Sequence, residues 1–282
     1  MIAAARQANM NPLLRNFFST ILVASLVALV GACASPPPIT STNPPRQPDS
    51  LPQAKPQETS PKDRAIVHAE LGAGYYERGQ MDVALEELNE AAVLDSTNPR
   101  IYNIYGLVYA MLGDNPKAEQ NFQRALALAP QDSEIRHNWG WYLCSNDRPR
   151  EAIPEFELAL RNPLYRTPEI ALVNAGRCSV AVGDLAGAES YFKRAQARAP
   201  NNSAAAYGLA LLAYRAGRLD EARGWTRRLT QQPAPAPEAL YLGMCIERKT
   251  GDRSAEVSYI SQLRNRYPDS AEAKSVATGA CE

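Results

Sequence analysis

Cysteine and histidine are the residue types in this sequence with the most scope for chemistry, and their spacing limits what they can do. The chain has five cysteines and two histidines. No two cysteines form a Cys-x-x-Cys pair, and the histidines, His68 and His137, lie far apart in the sequence. This pattern argues against a zinc site or a haem attachment site, and we predict no metal and no cofactor.

Motifs that would indicate an enzyme are also missing from the sequence. It contains no glycine-rich phosphate loop, no nucleophile elbow and no cluster of histidines with carboxylates. The 30 Lys and Arg residues balance 30 Asp and Glu residues, so the formal net charge is zero. A neutral chain has no excess of positive charge to attract nucleic acid. We therefore predict a protein that is not an enzyme, with no small-molecule substrate and no nucleic-acid partner.

The first cysteine of the chain follows a segment with the layout of a secretory signal. Arg6 and Arg15 supply a basic start, and residues 17–30 form an uncharged apolar run that is short for a membrane span. The run leads into Val-Gly-Ala-Cys at Cys33, which resembles the bacterial lipobox. The resemblance implies that residues 1–32 are a lipoprotein signal peptide and that Cys33 is lipidated. The alternative is an uncleaved single-pass anchor, which would also place the rest of the chain outside the cytoplasm.

The residues after Cys33 indicate where the protein is held. The next residue is Ala34 rather than aspartate. In lipoproteins of this kind that difference implies export, so we expect a lipid-anchored protein on the periplasmic face of the outer membrane. Residues 33–61 are rich in Pro, Ser, Thr and Gln and have almost no aliphatic residues. Such a segment cannot bury enough apolar surface to fold, so we interpret it as a disordered tether.

The rest of the chain repeats with a period of about 34 residues. A small residue recurs at spacings of 34, 34, 36 and 34, and a second series of small residues precedes it in each unit. Large residues such as Phe122, Phe156 and Phe192 lie where these small sites can receive them. This pattern is typical of the tetratricopeptide (TPR) repeat, which is a pair of helices. The two series are Ala84, Ala118, Ala152, Ala188 and Ala222, and Gly72, Gly106, Gly140, Gly176 and Ala210.

The period predicts an all-α solenoid of about six TPR helix-turn-helix repeats that form a right-handed superhelix. Glycines are expected in the turns between paired helices, and repeat three has Asp147 there instead. The sixth repeat is expected to be degenerate, because Ala255 sits one residue early and Glu256 occupies the small site. The TPR domain is predicted to span 62–270, with repeats at about 65–98, 99–132, 133–168, 169–202, 203–236 and 237–270, an elongated turn at 162–168 and a C-terminal tail at 271–282.

The first helix of each repeat is expected to line a concave groove, which is the usual binding surface of such a solenoid. Aromatic residues in a groove are candidate anchors for an apolar segment of a partner protein. The alternative is that Trp141 and the tyrosines pack against adjacent helices. The predicted groove residues are Tyr76, Asn103, Leu107, His137, Trp141, Arg177, Tyr207, Leu211 and Tyr214.

Two of the remaining cysteines lie in the first helices of repeats three and four, which are expected to stack side by side. Outside the cytoplasm, unpaired thiols tend to be oxidised, so Cys144 and Cys178 are candidates for a disulfide. The alternative is two buried thiols that act as small apolar residues. Cys245 and Cys281 could pair by elimination, with weaker expected geometry.

Several short strings resemble one family of TPR proteins. They are residues 138–144, 163–165 and 174–178, with further matches between 242 and 268. Together with the lipobox they resemble the PilF/PilW family of type IV pilus biogenesis lipoproteins, over about residues 60–270. The resemblance implies a pilotin, an outer-membrane lipoprotein that binds the secretin subunit and promotes its localisation and multimerisation. It also implies a disulfide between Cys144 and Cys178. The alternative function is a generic periplasmic TPR scaffold in another envelope assembly or export system.

Overall fold

The computed structural model describes residues 59–279 and Cys281. The predicted signal peptide at 1–32, the predicted lipidation site Cys33 and the predicted tether up to residue 58 lie outside the described residues. Within the described part of the chain, no helix is both long and apolar enough to cross a membrane.

The described residues form helices and no strands, which confirms the predicted all-α TPR solenoid. Consecutive helices associate in pairs, α1 with α2 and so on to α11 with α12, and each second helix also contacts the first helix that follows it. The helices are α1 Pro61–Glu77, α2 Met81–Leu94, α3 Pro99–Met111, α4 Asn115–Leu128, α5 Ser133–Ser145, α6 Pro149–Leu160, α7 Pro168–Ala181, α8 Leu185–Arg198, α9 Ser203–Arg215, α10 Leu219–Thr230, α11 Pro237–Thr250, α12 Arg253–Arg266 and α13 Ala271–Thr278.

Local sequence sets where the helices begin. Ser60 and Asp63 form a reciprocal capping box at the start of α1, so the folded body begins within the last residues of the predicted tether. The carboxylate of Asp132 accepts hydrogen bonds from the backbone N–H groups of Glu134 and Ile135 at the start of α5. Five helices begin with proline, whose fixed φ suits the first helical position.

The turns within the repeats require a left-handed backbone. Gly113 has φ of 74° between α3 and α4, and it leaves open space where a side chain would begin. At the equivalent place between α5 and α6, Asp147 adopts φ of 59°. Aspartate is one of the few residues that tolerate this region, which explains how repeat three keeps the same turn without glycine.

The contact of a glycine in the first helix with a large ring in the second sets the spacing of each helix pair. A Cβ atom added to Gly106 would lie 2.8 Å from the ring of Phe122, and one added to Gly176 would lie 2.7 Å from the ring of Phe192. Both distances are too short for an unstrained contact. Gly140 and Phe156 make the same contact, with the added Cβ at 3.0 Å. The recurring small and large residues therefore fit together as the period predicts.

The sixth repeat is better formed than its sequence suggested. Gly243 in α11 faces the ring of Tyr259 in α12, where an added Cβ would lie 2.8 Å away. Ala255 follows Gly243 by the same interval that separates Ala118 from Gly106. Ala255 is therefore in register, and the interpretation of the repeat as degenerate is wrong. The whole repeat is displaced by one residue, because Gly243 follows Ala222 by 21 residues whereas Gly140 follows Ala118 by 22.

Two connections depart from the simple repeat. The predicted elongated turn lies between α6 and α7, where Asn162 orders the turn by accepting a hydrogen bond from the backbone N–H of Leu164. Beyond the sixth repeat, the segment predicted as a tail contains the helix α13, which contacts α11 and α12. Val276 of α13 is buried in the same cluster as Leu240 and Leu263, so α13 covers the apolar end of the stack.

Candidate protein-binding groove

The first helices of the repeats lie on the inner side of the stack. Each of α1, α3, α5, α7 and α9 contacts the next first helix along the chain. In the described part of the chain, the backbones of successive second helices lie farther apart, and long side chains such as Arg194 of α8 and Glu157 of α6 reach between them. Helices on the inside of a curved stack lie closer together than those on the outside, so the first helices line the concave face.

Most of the predicted groove residues lie on this face with part of their surface exposed. Arg177 is exposed, and Tyr76, Leu107, Trp141, Tyr207 and Leu211 are partly buried. These six side chains leave some surface for a partner. Trp141 also packs against the cluster that contains Phe156, so its ring has both a structural contact and a free edge.

Two of the predicted groove residues are buried instead. Asn103 is only 3% exposed, and its side-chain oxygen accepts a hydrogen bond from Nδ2 of Asn138 at 3.2 Å. Tyr214 is 7% exposed, and its hydroxyl donates to the backbone oxygen of Cys281 at 3.0 Å. The expectation that both residues are available to a partner is wrong. Each one joins neighbouring elements of the stack.

His137 is the third predicted groove residue with a structural role. The Nδ2 amide of Asn174 in α7 donates to its Nε2 at 2.9 Å, so Nδ1 carries the imidazole hydrogen and faces Oη of Tyr165 at 2.6 Å. Burial lowers the pKa of His137 to about 4, so the ring is neutral at physiological pH. The imidazole thus connects α5 to α7 and to the elongated turn, and both its nitrogens are occupied.

Between repeats three and five, three adjacent depressions of the groove share Arg177. The first lies beside Trp141 and has a volume of about 140 Å³. The second lies beside Val180 and Leu211 and has a volume of about 170 Å³. The third, of about 350 Å³, extends from Tyr207 to the start of α11. Aromatic and aliphatic side chains with a few polar groups form this lining, which suits an apolar peptide segment.

The charged groups near these depressions are few. Glu238 lines the largest one together with Arg177. Burial raises the pKa of Tyr207, and the nearby carboxylates of Glu238 and Glu272 raise it further. The tyrosine hydroxyl is therefore neutral and can donate or accept a hydrogen bond. Among the described residues, no ion pair or hydrogen bond involves Arg177.

Two disulfides hold parts of this surface. Cys144 of α5 and Cys178 of α7 are bonded, with their Cα atoms 6.0 Å apart, beneath the depression beside Trp141. Cys245 of α11 is bonded to Cys281, with Cα atoms 5.5 Å apart, which ties the residues after α13 to the sixth repeat. No group of His, Cys, Asp and Glu in the described part of the chain is arranged to hold a metal ion.

Comparison with known proteins places this architecture in a family. Models of the tetratricopeptide repeat match residues 72–113, 99–132, 137–203 and 179–242. The crystal structure of PilW, described as a widely conserved type IV pilus biogenesis factor, has a TM-score of 0.70 and 31% sequence identity, and the match covers 76% of this chain and 98% of that chain. The chain belongs to the PilF/PilW-like family of TPR proteins.

A second relative lies in the same family. The type IV pilus assembly protein PilF of Pseudomonas aeruginosa is 25% identical over 206 residues, which are 73% of this chain and 82% of that protein. A solved structure of PilF has a TM-score of 0.71 at 24% identity and covers 78% of this chain and 99% of that chain, which supports the shared fold.

Some groove residues of this PilF/PilW-like protein were missed from the sequence. Val180 and Asn174 line the same depressions as Arg177, and both lie one helical turn from it in α7, so the helical period could have indicated them. Glu238 was missed because it belongs to the sixth repeat, whose register differs by one residue.

Proposed function

We propose that this protein is a scaffold of type IV pilus biogenesis that binds a segment of another protein in its concave groove. The observation that carries the proposal is the match to PilW over nearly the whole of that chain, with a TM-score of 0.70. The groove between repeats three and five supports it, since its lining combines aromatic and aliphatic side chains with a few polar groups.

The finer proposal is that the protein acts as a pilotin. In this role, a lipid on Cys33 holds the chain on the periplasmic face of the outer membrane. Residues 33–61 allow the folded body to extend away from the membrane, and the groove binds the secretin subunit. Binding would promote localisation and multimerisation of the secretin in that membrane. The signal-like N-terminus and the lipobox resemblance at Cys33 support the anchor, and the similarity to PilF and PilW supports the link to pili.

The test is a chromosomal deletion in the source organism, with outer-membrane fractions examined for heat-resistant secretin multimers. We expect the multimers to fall strongly and to return when the full-length gene is restored. A Cys33→Ser gene, which cannot be lipidated, should restore them poorly, because the protein would no longer be held at the outer membrane. Persistence of normal multimers in the deletion strain would rule out the pilotin role and favour a scaffold of another envelope system.

A direct binding measurement complements the genetics. Full-length protein purified in detergent should retain the secretin subunit in a pull-down. A Tyr207→Ala, Leu211→Ala double variant removes two partly exposed groove side chains and should weaken the retention. The matched control is Val93→Ala, since Val93 is 83% exposed on a second helix, away from the groove.

A further inference from the structure

Arg177 occupies the centre of the groove. It lies on α7, in the fourth of six repeats, and it lines all three depressions between Trp141 and the start of α11. Its neighbours along the groove are mainly apolar, with Trp141 on one side and Tyr207 and Leu211 on the other. A segment that follows the groove through repeats three to five must therefore pass over this guanidinium.

The guanidinium of Arg177 has no anionic partner among the described residues. Several other arginines that join neighbouring helices are paired with a carboxylate. Arg136 pairs with Glu155 at 2.5 Å, and Arg223 makes a bidentate contact with the carboxylate of Glu247. Arg177 makes no such contact, although Glu238 lines one of the same depressions. A partner that covers the groove would strip water from this charge, which is costly unless the partner supplies an anion.

We propose that Arg177 recognises a carboxylate on the apolar segment that binds in the groove. This inference rests on the proposed function, in that the groove is taken to bind a protein segment. The occupant is an extended peptide whose apolar residues fill the depressions beside Trp141 and Leu211 and whose Asp or Glu side chain lies between them. A guanidinium presents two parallel N–H groups to a carboxylate, so it fixes the register of the segment as well as adding affinity.

The geometry favours a side-chain carboxylate over a chain terminus. Depressions lie on both sides of Arg177, so a segment that fills them continues in both directions past the charge. A terminal carboxylate would leave one side empty. The carboxylate of Glu238 lies at the far end of the largest of the three depressions and would repel a peptide carboxylate placed there. We therefore place the acidic residue of the peptide on the side of Arg177 nearer Trp141.

The test uses a phage-displayed library of random 12-residue peptides, selected on the full-length protein in detergent. The selected peptides should share an Asp or Glu flanked by aliphatic or aromatic residues. A synthetic peptide of the consensus should bind about tenfold more weakly when its acidic residue is replaced by the amide, because one charge-assisted hydrogen-bonded contact is lost. Amidation of its C-terminus should leave the affinity unchanged. A failure to enrich any peptide, a consensus without an acidic residue, or an effect of C-terminal amidation alone would overturn the proposal.

Charge reversal then assigns the contact to one residue. Arg177→Glu should weaken binding of the consensus peptide by about tenfold or more. Arg177→Lys should keep part of the affinity, because lysine keeps the positive charge but lacks the two parallel N–H groups of the guanidinium. The control is Arg150→Glu, since Arg150 is an exposed residue of the second helix α6 that forms no ion pair with any described residue. Circular dichroism checks that each variant is folded. Equal losses in the Arg177→Glu and Arg150→Glu variants would overturn the proposal, since they would reflect net charge.

The two proposals fail separately. If the peptides and the Arg177 variants behave as expected while secretin multimers persist in the deletion strain, the carboxylate recognition stands and the pilotin role falls. If the multimers disappear in the deletion strain while Arg177→Glu restores them fully and binds the peptides normally, the pilotin role stands and the assignment to Arg177 falls.

Discussion

Single glycine residues decide how closely the helices of a pair approach. Gly106 meets the ring of Phe122, and Gly140 and Gly176 make the same kind of contact in the next two repeats. A glycine inside a helix costs about 1 kcal/mol relative to alanine. The fold accepts this cost because a large buried ring needs the space of the missing side chain.

Gly106→Ala should therefore destabilise the protein although alanine is the better helix former. The added Cβ would lie 2.8 Å from the Phe122 ring, and overpacking of about 1–3 kcal/mol should exceed the gain in helix propensity of about 1 kcal/mol. Urea denaturation of the full-length protein measures the change. The control is Gly224→Ala in α10, where nothing lies within 4 Å of the added Cβ and the backbone is helical. That variant should be stabilised by up to about 1 kcal/mol, and a destabilisation equal to that of Gly106→Ala would contradict the steric explanation.

The pKa of His137 makes stability depend on pH. Burial holds it at about 4 in the folded protein, below its value of about 6.5 in an unfolded chain. Between these values the unfolded chain binds a proton that the folded chain does not, so stability falls as the pH falls below about 6.5. Between pH 7 and pH 5 the loss should be about 2 kcal/mol.

Urea denaturation at the two pH values, with His137→Gln for comparison, measures this contribution. The variant should lose about 2 kcal/mol less than the unchanged protein over the same interval. An equal loss in both proteins would mean that His137 is protonated as readily in the folded state as in the unfolded one.

At the scale of the helices, the same turn is made by different residues in different repeats. Gly113 and Asp147 both have positive φ between paired helices, at 74° and 59°. The turn needs this backbone conformation because the second helix of a repeat runs antiparallel to the first. Glycine reaches it without cost, whereas a residue with a Cβ pays about 1 kcal/mol or more.

Asp147→Gly should therefore stabilise the protein by up to about 1 kcal/mol, although glycine is the more flexible residue when unfolded. The reverse substitution at an equivalent turn, Gly113→Ala, should destabilise it by about 1 kcal/mol. Thermal unfolding compares both variants with the unchanged protein. A lower unfolding temperature for Asp147→Gly would show that the carboxylate makes a compensating interaction in the turn.

At the scale of the whole molecule, covalent bonds supplement the contacts between neighbouring repeats. Cys144 and Cys178 join repeats three and four across a separation of 34 residues. A stack of repeats is held together mainly by contacts between neighbours, so it can come apart at its weakest interface. This bond strengthens the interface that carries the longest connection, the elongated turn after α6.

Loss of this bond should cost about 2–4 kcal/mol, because the unfolded chain regains the freedom that a closed loop of this length removes. The Cys144→Ser, Cys178→Ser double variant tests this in urea, with the Cys245→Ser, Cys281→Ser variant for comparison. Mass spectrometry of the exported protein under non-reducing conditions checks the bond itself. Complete alkylation of Cys144 and Cys178 without reductant would show that it does not form in the cell.

The helix pairs of the stack were predictable from the sequence because the small and large residues recur at a fixed interval. The burial of Asn103 and Tyr214 was not predictable from the sequence. A position in the repeat determines the side of the helix on which a residue lies, but it does not determine which neighbour covers that residue. Asn138 and the residues after α13 provide that cover. The register of the sixth repeat differs because the stretch from Ala222 to Gly243 is one residue shorter than the stretch from Ala188 to Ala210, and a fixed period does not allow for such a change.

The backbones of the second helices lie farther from one another than those of the first helices, which has a consequence for how the protein can be studied and how it can diverge. Each second helix contacts its own partner and the first helix of the next repeat. A substitution or a fluorescent label at Val93, which is 83% exposed on α2, touches neither the groove nor another outer helix. The convex side can therefore accumulate changes repeat by repeat, and dyes attached there in pairs would report changes in curvature when the concave side is filled.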